Sequence, residues 1–227
     1  MNHTNPTLRA EFGRYAVLSV LGMMAMSCYI LADTFFVAQG LGSEGLAALN
    51  LAIPVYNVIH GIGLLLGMGG ATRFSVLKSQ NAREEANVVY THTLGMAAAA
   101  AAVFVLVGLT VPGLLAALLG ATGTVHTMTT TYLRVLLLFA PAFLLNDVLQ
   151  CFMRNDGAPH LSMAATVTGS LANIVMDYIF IFPFGLGILG AVLATGVSPV
   201  IGILIQAPHW ANPRCGFRPV PCRPQRR

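Results

Sequence analysis

Two carboxylates stand inside apolar stretches of this chain, where they would bind a cation or a proton. Asp177 lies in ANIVMDYIFIF, and no Lys or Arg occurs between Arg154 and Arg214 to neutralise it. Asp33 lies in the apolar stretch YILADTFFVAQG. A carboxylate inside a membrane costs several kcal/mol unless it binds something or is protonated. These acids therefore predict a site for a hard cation, such as sodium, or for a proton.

The composition predicts that these acids belong to an integral membrane protein. Of the 227 residues, 56% are hydrophobic and only 9% are charged, whereas a soluble domain has about 25% charged residues. The net charge of +4 does not indicate nucleic-acid binding, because the basic residues lie in short loops and a tail. We find no G-x-S-x-G and no H-E-x-x-H motif, so we predict no enzyme activity and no cofactor apart from the coupling ion.

Six apolar stretches are long enough to cross a bilayer, since about 20 helical residues span its hydrocarbon core. Because open strands would leave backbone groups unpaired in lipid, we predict an all-α membrane protein of six transmembrane helices. The predicted helices cover residues 14–38, 45–72, 87–115, 127–153, 160–184 and 187–207. The predicted organisation is an N-terminal segment (1–13), a transmembrane bundle (14–207) and a Pro- and Arg-rich tail (208–227), which we expect to be disordered.

The positions of the basic residues predict the orientation of these helices. Of the 12 Lys and Arg residues, all except Arg134 fall before the first helix, in alternate loops or after the sixth helix. Because loops rich in Lys and Arg stay in the cytoplasm, we expect both termini to be cytoplasmic. The predicted location is the inner (plasma) membrane, with several passes through the bilayer.

Counting along the helices places four polar side chains in the outer half of the membrane. Asp177 and Thr195 lie roughly 12 Å below the outer ends of their helices, and Asp33 lies roughly 10 Å below its own. Asn173 is one turn deeper than Asp177, on the same helix face. We therefore predict that Asp33, Asn173, Asp177 and Thr195 form a cation-coupling site. The alternative is that each acid only hydrogen-bonds a neighbouring helix.

A second polar patch lies about half-way along the predicted second helix. Tyr56, Asn57 and His60 are candidates for lining a substrate cavity, and a structural hydrogen bond is an equally open interpretation. Asp147 is seven residues from Arg154. We expect Asp147 to reach the cytoplasmic interface or to pair with Arg154.

Small and sulfur-containing residues give two weaker indications. Gly63 and Gly67, four residues apart, predict close packing of the second helix against a neighbour. Cys215, Cys222 and His209 have a poor spacing for metal ligands, and the four cysteines do not form a disulfide framework. We therefore predict no metal site.

Four stretches of the sequence resemble the MATE (multidrug and toxic compound extrusion) transporters. They are ILADTFFVAQGLGSEGLAALNLAIP, GIGLLLGMGGATRFS, FMRNDGAPHLSMAATVTGSLANIVMDYIFIF and GILGAVLAT. The resemblance implies two six-helix bundles around a central cavity, of which this chain supplies the first. It also implies export of small, drug-like organic cations as sodium ions or protons enter. In the family, four residues of the first bundle couple the cation, and these correspond to Asp33, Asn173, Asp177 and Thr195.

The end of the chain departs from the family pattern. The stretch QAPHWANPRCGFRPVPCRPQRR does not resemble the linker between the two bundles, and we expect a truncated or out-of-frame ending. One alternative function is a remnant that transports nothing. Another is a half-transporter that acts as a homodimer or with a separate second bundle. A lipid or polysaccharide flippase is a further possibility, although such proteins line their cavity with basic residues, which this bundle nearly lacks.

Overall fold

The computed structural model describes residues 6–211 and 215–220. Within these ranges the chain forms seven helices and no strand. They are α1 Pro6–Ser79, α2 Arg83–Thr110, α3 Pro112–Leu118, α4 Gly123–Leu138, α5 Ala140–Asn155, α6 Pro159–Ile181 and α7 Ile188–Ala211. Among the described residues, 4 helices are long and apolar enough to cross a membrane, and the bent pair α4–α5 gives a fifth candidate span. The predicted all-α membrane fold is confirmed.

The helix α1 contains the first two predicted spans, because it folds back on itself at Gly42. Gly42 has a φ of 66° and a ψ of −158°, a backbone conformation that glycine adopts without a steric penalty. The hydroxyls of Tyr29 and Tyr56 are 2.6 Å apart although the residues are 27 positions apart. A straight helix would separate them by about 40 Å. The two arms of α1, residues 6–41 and 43–79, therefore lie side by side and supply two spans.

Two other predicted helices are interrupted next to a proline. The predicted helix 87–115 is divided at Val111 into α2 and α3. Pro112 explains the division, because a proline disfavours helical backbone at the residue before it. The predicted helix 127–153 is bent by 49° between α4 and α5. Pro141, in the first turn of α5, lacks the N–H that would continue α4 without a break.

The bundle has apolar side chains both between its helices and on its outer surface. The helices α6 and α7 pack along each other, and α1 packs against both α5 and α6. Val37, Ile59 and Val148 are completely buried between them, whereas Leu31 and Leu65 are 70% and 73% exposed. Large apolar side chains on the outside are the pattern expected where lipid rather than water surrounds a helix.

Gly63 and Gly67 bring the second arm of α1 into close contact with α5, as predicted. A Cβ atom added at Gly67 would lie 3.0 Å from Cys151 Sγ and 3.1 Å from Val148 Cα. A Cβ atom at Gly63 would lie 2.6 Å from Asp147 Oδ2. The absence of side chains at these positions sets the distance between the two helices.

We expect Gly67→Ala to destabilise the bundle by about 1–3 kcal/mol, because the added methyl group overlaps atoms that include backbone. The matched control is Gly69→Ala in the same helix, where a Cβ atom meets nothing within 4 Å. Thermal unfolding in detergent, followed by circular dichroism, measures the difference between the two variants. Equal midpoints would show that α1 and α5 do not need this close approach.

Part of the C-terminal tail is packed against the bundle, which differs from the disorder that we expected. Phe217 is completely buried and contacts the rings of Phe74, Tyr90 and Phe152. Burial of a whole aromatic ring favours docking of this short segment on the bundle. The last helix also extends to Ala211, beyond the predicted boundary of 207.

Backbone hydrogen bonds hold the same segment along α2. The N–H of Arg218 donates to Asn87 Oδ1 at 2.9 Å, and the N–H of Val220 donates to Thr91 Oγ1 at 3.0 Å. Residues 1–5, 212–214 and 221–227 lie outside the described residues, and so does Cys222. The prediction of disorder is therefore not tested there.

Candidate functional site

The four predicted coupling residues converge from three helices. Asp33 lies on the first arm of α1, Asn173 and Asp177 lie on α6, and Thr195 lies on α7. All four are buried, with exposed fractions from 0% for Asp177 to 7% for Asp33. Because α6 packs against both α1 and α7, residues that are far apart in the sequence meet in one place.

Asn173 connects the two sides of this cluster. With its amide oriented to satisfy both neighbours, it donates to Asp177 Oδ2 at 3.1 Å and accepts from the N–H of Thr195 at 3.2 Å. The Thr195 hydroxyl donates to the carbonyl of Ala191 at 3.1 Å, so its oxygen lone pairs are left for another ligand. These bonds fix the direction of an amide, a hydroxyl and a carboxylate.

The two carboxylates are short of partners within the described part of the chain. Asp33 Oδ1 and Asp177 Oδ1 are both buried and have no hydrogen-bond partner there. The two groups interact electrostatically, so their charged forms repel each other. Buried carboxylate, amide and hydroxyl oxygens are the ligands that a hard cation prefers. The arrangement therefore fits either a small cation or a proton bound by one of the two acids.

Tyr132 is a member of this cluster that the sequence reasoning missed. It lies on α4, is 4% exposed, hydrogen-bonds the Thr195 side chain and interacts electrostatically with Asp33 and Asp177. Counting residues from the start of α4, as was done for the other helices, would have identified Tyr132. Tyr132 comes nine residues after Gly123, where α4 begins, so it lies roughly 13 Å along the helix.

A cavity of about 340 Å³ lies next to the cluster. Of the three residues predicted to line a cavity, Tyr56 and His60 are on its wall. Asn57 is exposed and is not among the lining residues. This difference follows from the helix period, because a residue next to Tyr56 points about 100° away from it.

Only two of the four predicted coupling residues border the cavity. Asn173 and Thr195 contribute to its wall, whereas Asp33 and Asp177 do not. The two acids therefore lie behind the amide and the hydroxyl as seen from the cavity.

Asp147 pairs with His60 rather than with Arg154, which corrects our expectation for this residue. The His60 Nδ1 atom lies 2.8 Å from Asp147 Oδ2. Arg154 instead donates to Ser162 Oγ at 3.0 Å and to Gln150 Oε1 at 3.3 Å. The close approach of α1 to α5 at Gly63 brings the imidazole within reach of the carboxylate.

A third polar group lies at the end of the bundle where the tail packs. The Asp156 side chain is 1% exposed. It accepts from Lys78 Nζ at 2.6 Å, pairs with His209 Nε2 at 3.1 Å and accepts from the N–H of Gly216 at 2.9 Å. This network joins α1, α5, α7 and the tail segment.

Three residues of metal-ligating types meet at this end of the bundle. The chemistry of their side chains nevertheless disfavours a metal. One ligand atom each of Asp156, His209 and Cys215 lies within 4.8 Å of the others. However, the Lys78 ammonium already neutralises the carboxylate. Burial also raises the pKa of the Cys215 thiol, which favours the thiol over the metal-binding thiolate. We interpret the group as an ion-pair network.

Comparison with known proteins adds a family and several relatives. The family model described as MatE matches residues 19–179. The Multidrug export protein MepA of Staphylococcus aureus (strain MRSA252) is 30% identical over 200 residues, which is 88% of this chain and 44% of that protein. This chain therefore spans less than half the length of the curated relatives that it matches.

Solved structures give the same relationship. A transporter of the MOP superfamily from Pyrococcus furiosus matches with a TM-score of 0.80 and 33% identity, over 87% of this chain and 43% of that one. A crystal structure of MATE in complex with MaL6 matches with a TM-score of 0.83 and 31% identity, over 91% of this chain and 48% of that one. In both cases the similarity extends over one half of a longer chain.

Proposed function

This chain belongs to the MATE family of multidrug transporters, and from that membership we propose that it forms half of a cation-coupled exporter of organic cations. Members of this family are transporters rather than enzymes. The observation that carries the proposal is the buried cluster in which Asp33 Oδ1 and Asp177 Oδ1 have no described hydrogen-bond partner. Such acids inside a membrane protein mark ion pathways and proton relays.

In this mechanism, a sodium ion or a proton neutralises the pair of Asp33 and Asp177. Asn173 and Thr195 supply further oxygen ligands to a sodium ion, or hold the carboxylate that accepts a proton. Removal of the repulsion between the acids lets α1 and α6 approach each other. The ion then favours one of two arrangements of the bundle, because it binds that arrangement more tightly.

The orientation in this proposal places the Asp156 network on the cytoplasmic side of the plasma membrane. Lys78, Arg83 and Arg154 lie close to the two turns at that end of the bundle. Their accumulation at one end supports the assignment through the positive-inside rule. Asp33 and Asp177 then lie nearer to the outer surface, from which the coupling ion enters.

The proposal includes a second bundle that completes the transport pathway. Met23 and Leu64 line the cavity and are 70% and 43% exposed, so the cavity opens toward the side of the bundle. A second copy of this chain or a separate second bundle would close that side. A remnant without transport activity is the alternative, and light scattering of the purified protein distinguishes a dimer from a monomer.

The test is efflux of a fluorescent organic cation from cells that express these 227 residues. We expect efflux above that of cells with an empty vector, once the protein is confirmed to be in the membrane. A protonophore would stop efflux if protons are the coupling ion, and collapse of the sodium gradient would stop it if sodium is. No efflux from inserted protein would contradict a chain that transports alone or as a homodimer, and it would favour a remnant or a half that needs a separate second bundle.

A further inference from the structure

Asp147 is a second acid of the bundle that faces the cavity, and the coupling mechanism does not use it. Its side chain is 8% exposed and lies on the cavity wall. His60 Nδ1 is its only ion-pair partner among the described residues. In the tautomer that donates from Nδ1 the imidazole is neutral, and this pairing adds no positive charge to offset that of an ionised Asp147 carboxylate.

Aromatic rings surround this negative charge. The ring centroids of Tyr56 and His60 are 4.4 Å apart, and Phe143 lies 5.7 Å from Tyr56 and 5.3 Å from His60. All three residues line the cavity together with Asp147. Ring faces and a carboxylate at one place attract an organic ammonium ion, since the rings favour a cation while burying its apolar groups.

One nitrogen at the site is also without a partner. His60 Nε2 is buried and makes no hydrogen bond within the described residues. Because Nδ1 is directed at Asp147, Nε2 is the acceptor of the neutral imidazole. The N–H of a protonated amine would satisfy it, which the His60–Asp147 pair alone does not, whereas a quaternary ammonium ion would be held by its charge and by ring contacts only.

The backbone of α1 at Gly63 leaves room for the Asp147 carboxylate. A Cβ atom at Gly63 would come within 2.6 Å of Asp147 Oδ2. The cavity volume of about 340 Å³ falls at the lower end of the range for small-molecule sites, roughly 300–1,000 Å³. A single aromatic ammonium compound is of a size that such a cavity holds.

We propose that Asp147, positioned by His60, is the counter-ion for the exported compound, an aromatic amine or quaternary ammonium ion. This inference rests on the proposed function and adds a binding site for the exported compound. Asp33 and Asp177 are not on the cavity wall, so the organic cation and the coupling ion occupy different acids. The two ligands then influence each other through the arrangement of α1 rather than by competition for one carboxylate.

The test is equilibrium dialysis of radiolabelled tetraphenylphosphonium, a permanent aromatic cation, against the purified full chain in mild detergent. We expect Asp147→Asn to weaken binding by at least about tenfold, because it removes the charge that pairs with the ligand. Glu84→Gln is the matched control, since it neutralises an exposed acid in the first turn of α2 that is not on the cavity wall, and its affinity should stay within about twofold of wild type.

Two further measurements separate recognition of charge from a structural role. Triphenylphosphine oxide, a neutral aromatic compound, should bind the wild type and Asp147→Asn equally. His60→Gln keeps a donor toward Asp147 and should retain binding of the cation, whereas His60→Leu should weaken it. Circular dichroism shows whether each variant is folded.

Equal affinity of wild type and Asp147→Asn for tetraphenylphosphonium would overturn the inference, as would an equal loss of binding in Glu84→Gln or no binding by the wild type. The outcome is separable from that of the efflux experiment. Binding that depends on Asp147, without efflux, would refute the proposed export but keep the site. Efflux that depends on Asp177, with binding indifferent to Asp147, would refute the site but keep the export.

Discussion

Asp177→Asn is expected to reduce coupled efflux to the level of cells that lack the protein, while insertion into the membrane stays intact. The side chain is completely buried, and its Oδ2 already accepts from Asn173. An amide of nearly the same shape fits this position, but it cannot take up a proton and has no negative charge to hold a cation. Efflux of a fluorescent organic cation, normalised to the amount of membrane protein, measures the loss.

Asp33→Asn should have the same effect, and the double variant should lose no more than either single variant. This non-additivity is expected because the two acids interact electrostatically, and the proposed mechanism assigns one ion to the pair. Glu84→Gln is the control, since it makes the same chemical change at an exposed residue in the first turn of α2. Unchanged efflux in both Asp33→Asn and Asp177→Asn would overturn the assignment of the site.

The sequence was sufficient to predict that these residues lie together, because the rise of an α-helix is nearly constant. Counting residues from the end of each helix placed Asp33, Asp177 and Thr195 at one level without knowledge of how the helices pack. The same regularity places Asn173 beside Asp177, four residues away. The breaks at Pro112 and Pro141 were not predicted, although the backbone restrictions that proline imposes account for both of them.

The pairing of His60 with Asp147 was not predictable in this way. It depends on the rotation of α5 about its axis relative to α1, which a residue count leaves undetermined. Arg154 is close to Asp147 in sequence, but seven residues correspond to roughly 10 Å of helix, too far for direct contact unless both side chains extend toward each other. Gly63 is the only sequence sign of the true contact, and only the structure shows which side chain uses the space.

The tail segment also shows where composition misleads. Pro- and Arg-rich sequences are typical of disordered chains. The burial of Phe217 within this tail was not predicted. Phe217 is buried by Phe74, Tyr90 and Phe152, which come from three different helices. A pocket formed by residues so far apart in sequence cannot be recognised before the fold is known.

Asp156→Ala is expected to lower the free energy of unfolding by about 2–3 kcal/mol. The value lies below the range for removing one partner of a fully buried ion pair, because the Lys78 side chain is 39% exposed and water partly replaces the interaction. The substitution also leaves His209 Nε2 and the N–H of Gly216 without their acceptor. Thermal unfolding in detergent, followed by circular dichroism, measures the change.

Asp156→Asn distinguishes the charge from the hydrogen bonds in this network. The amide oxygen still accepts from Gly216, so the tail segment should stay in place and the loss should be smaller than for Asp156→Ala. Phe217→Ala removes the other attachment of the tail, and its effect should add to that of Asp156→Asn only if the two attachments act independently. An unfolding midpoint of Asp156→Ala equal to that of wild type would show that the tail segment and the ends of α1, α5 and α7 do not depend on this carboxylate. In that case the packing of Phe217 alone would have to hold the tail against the bundle.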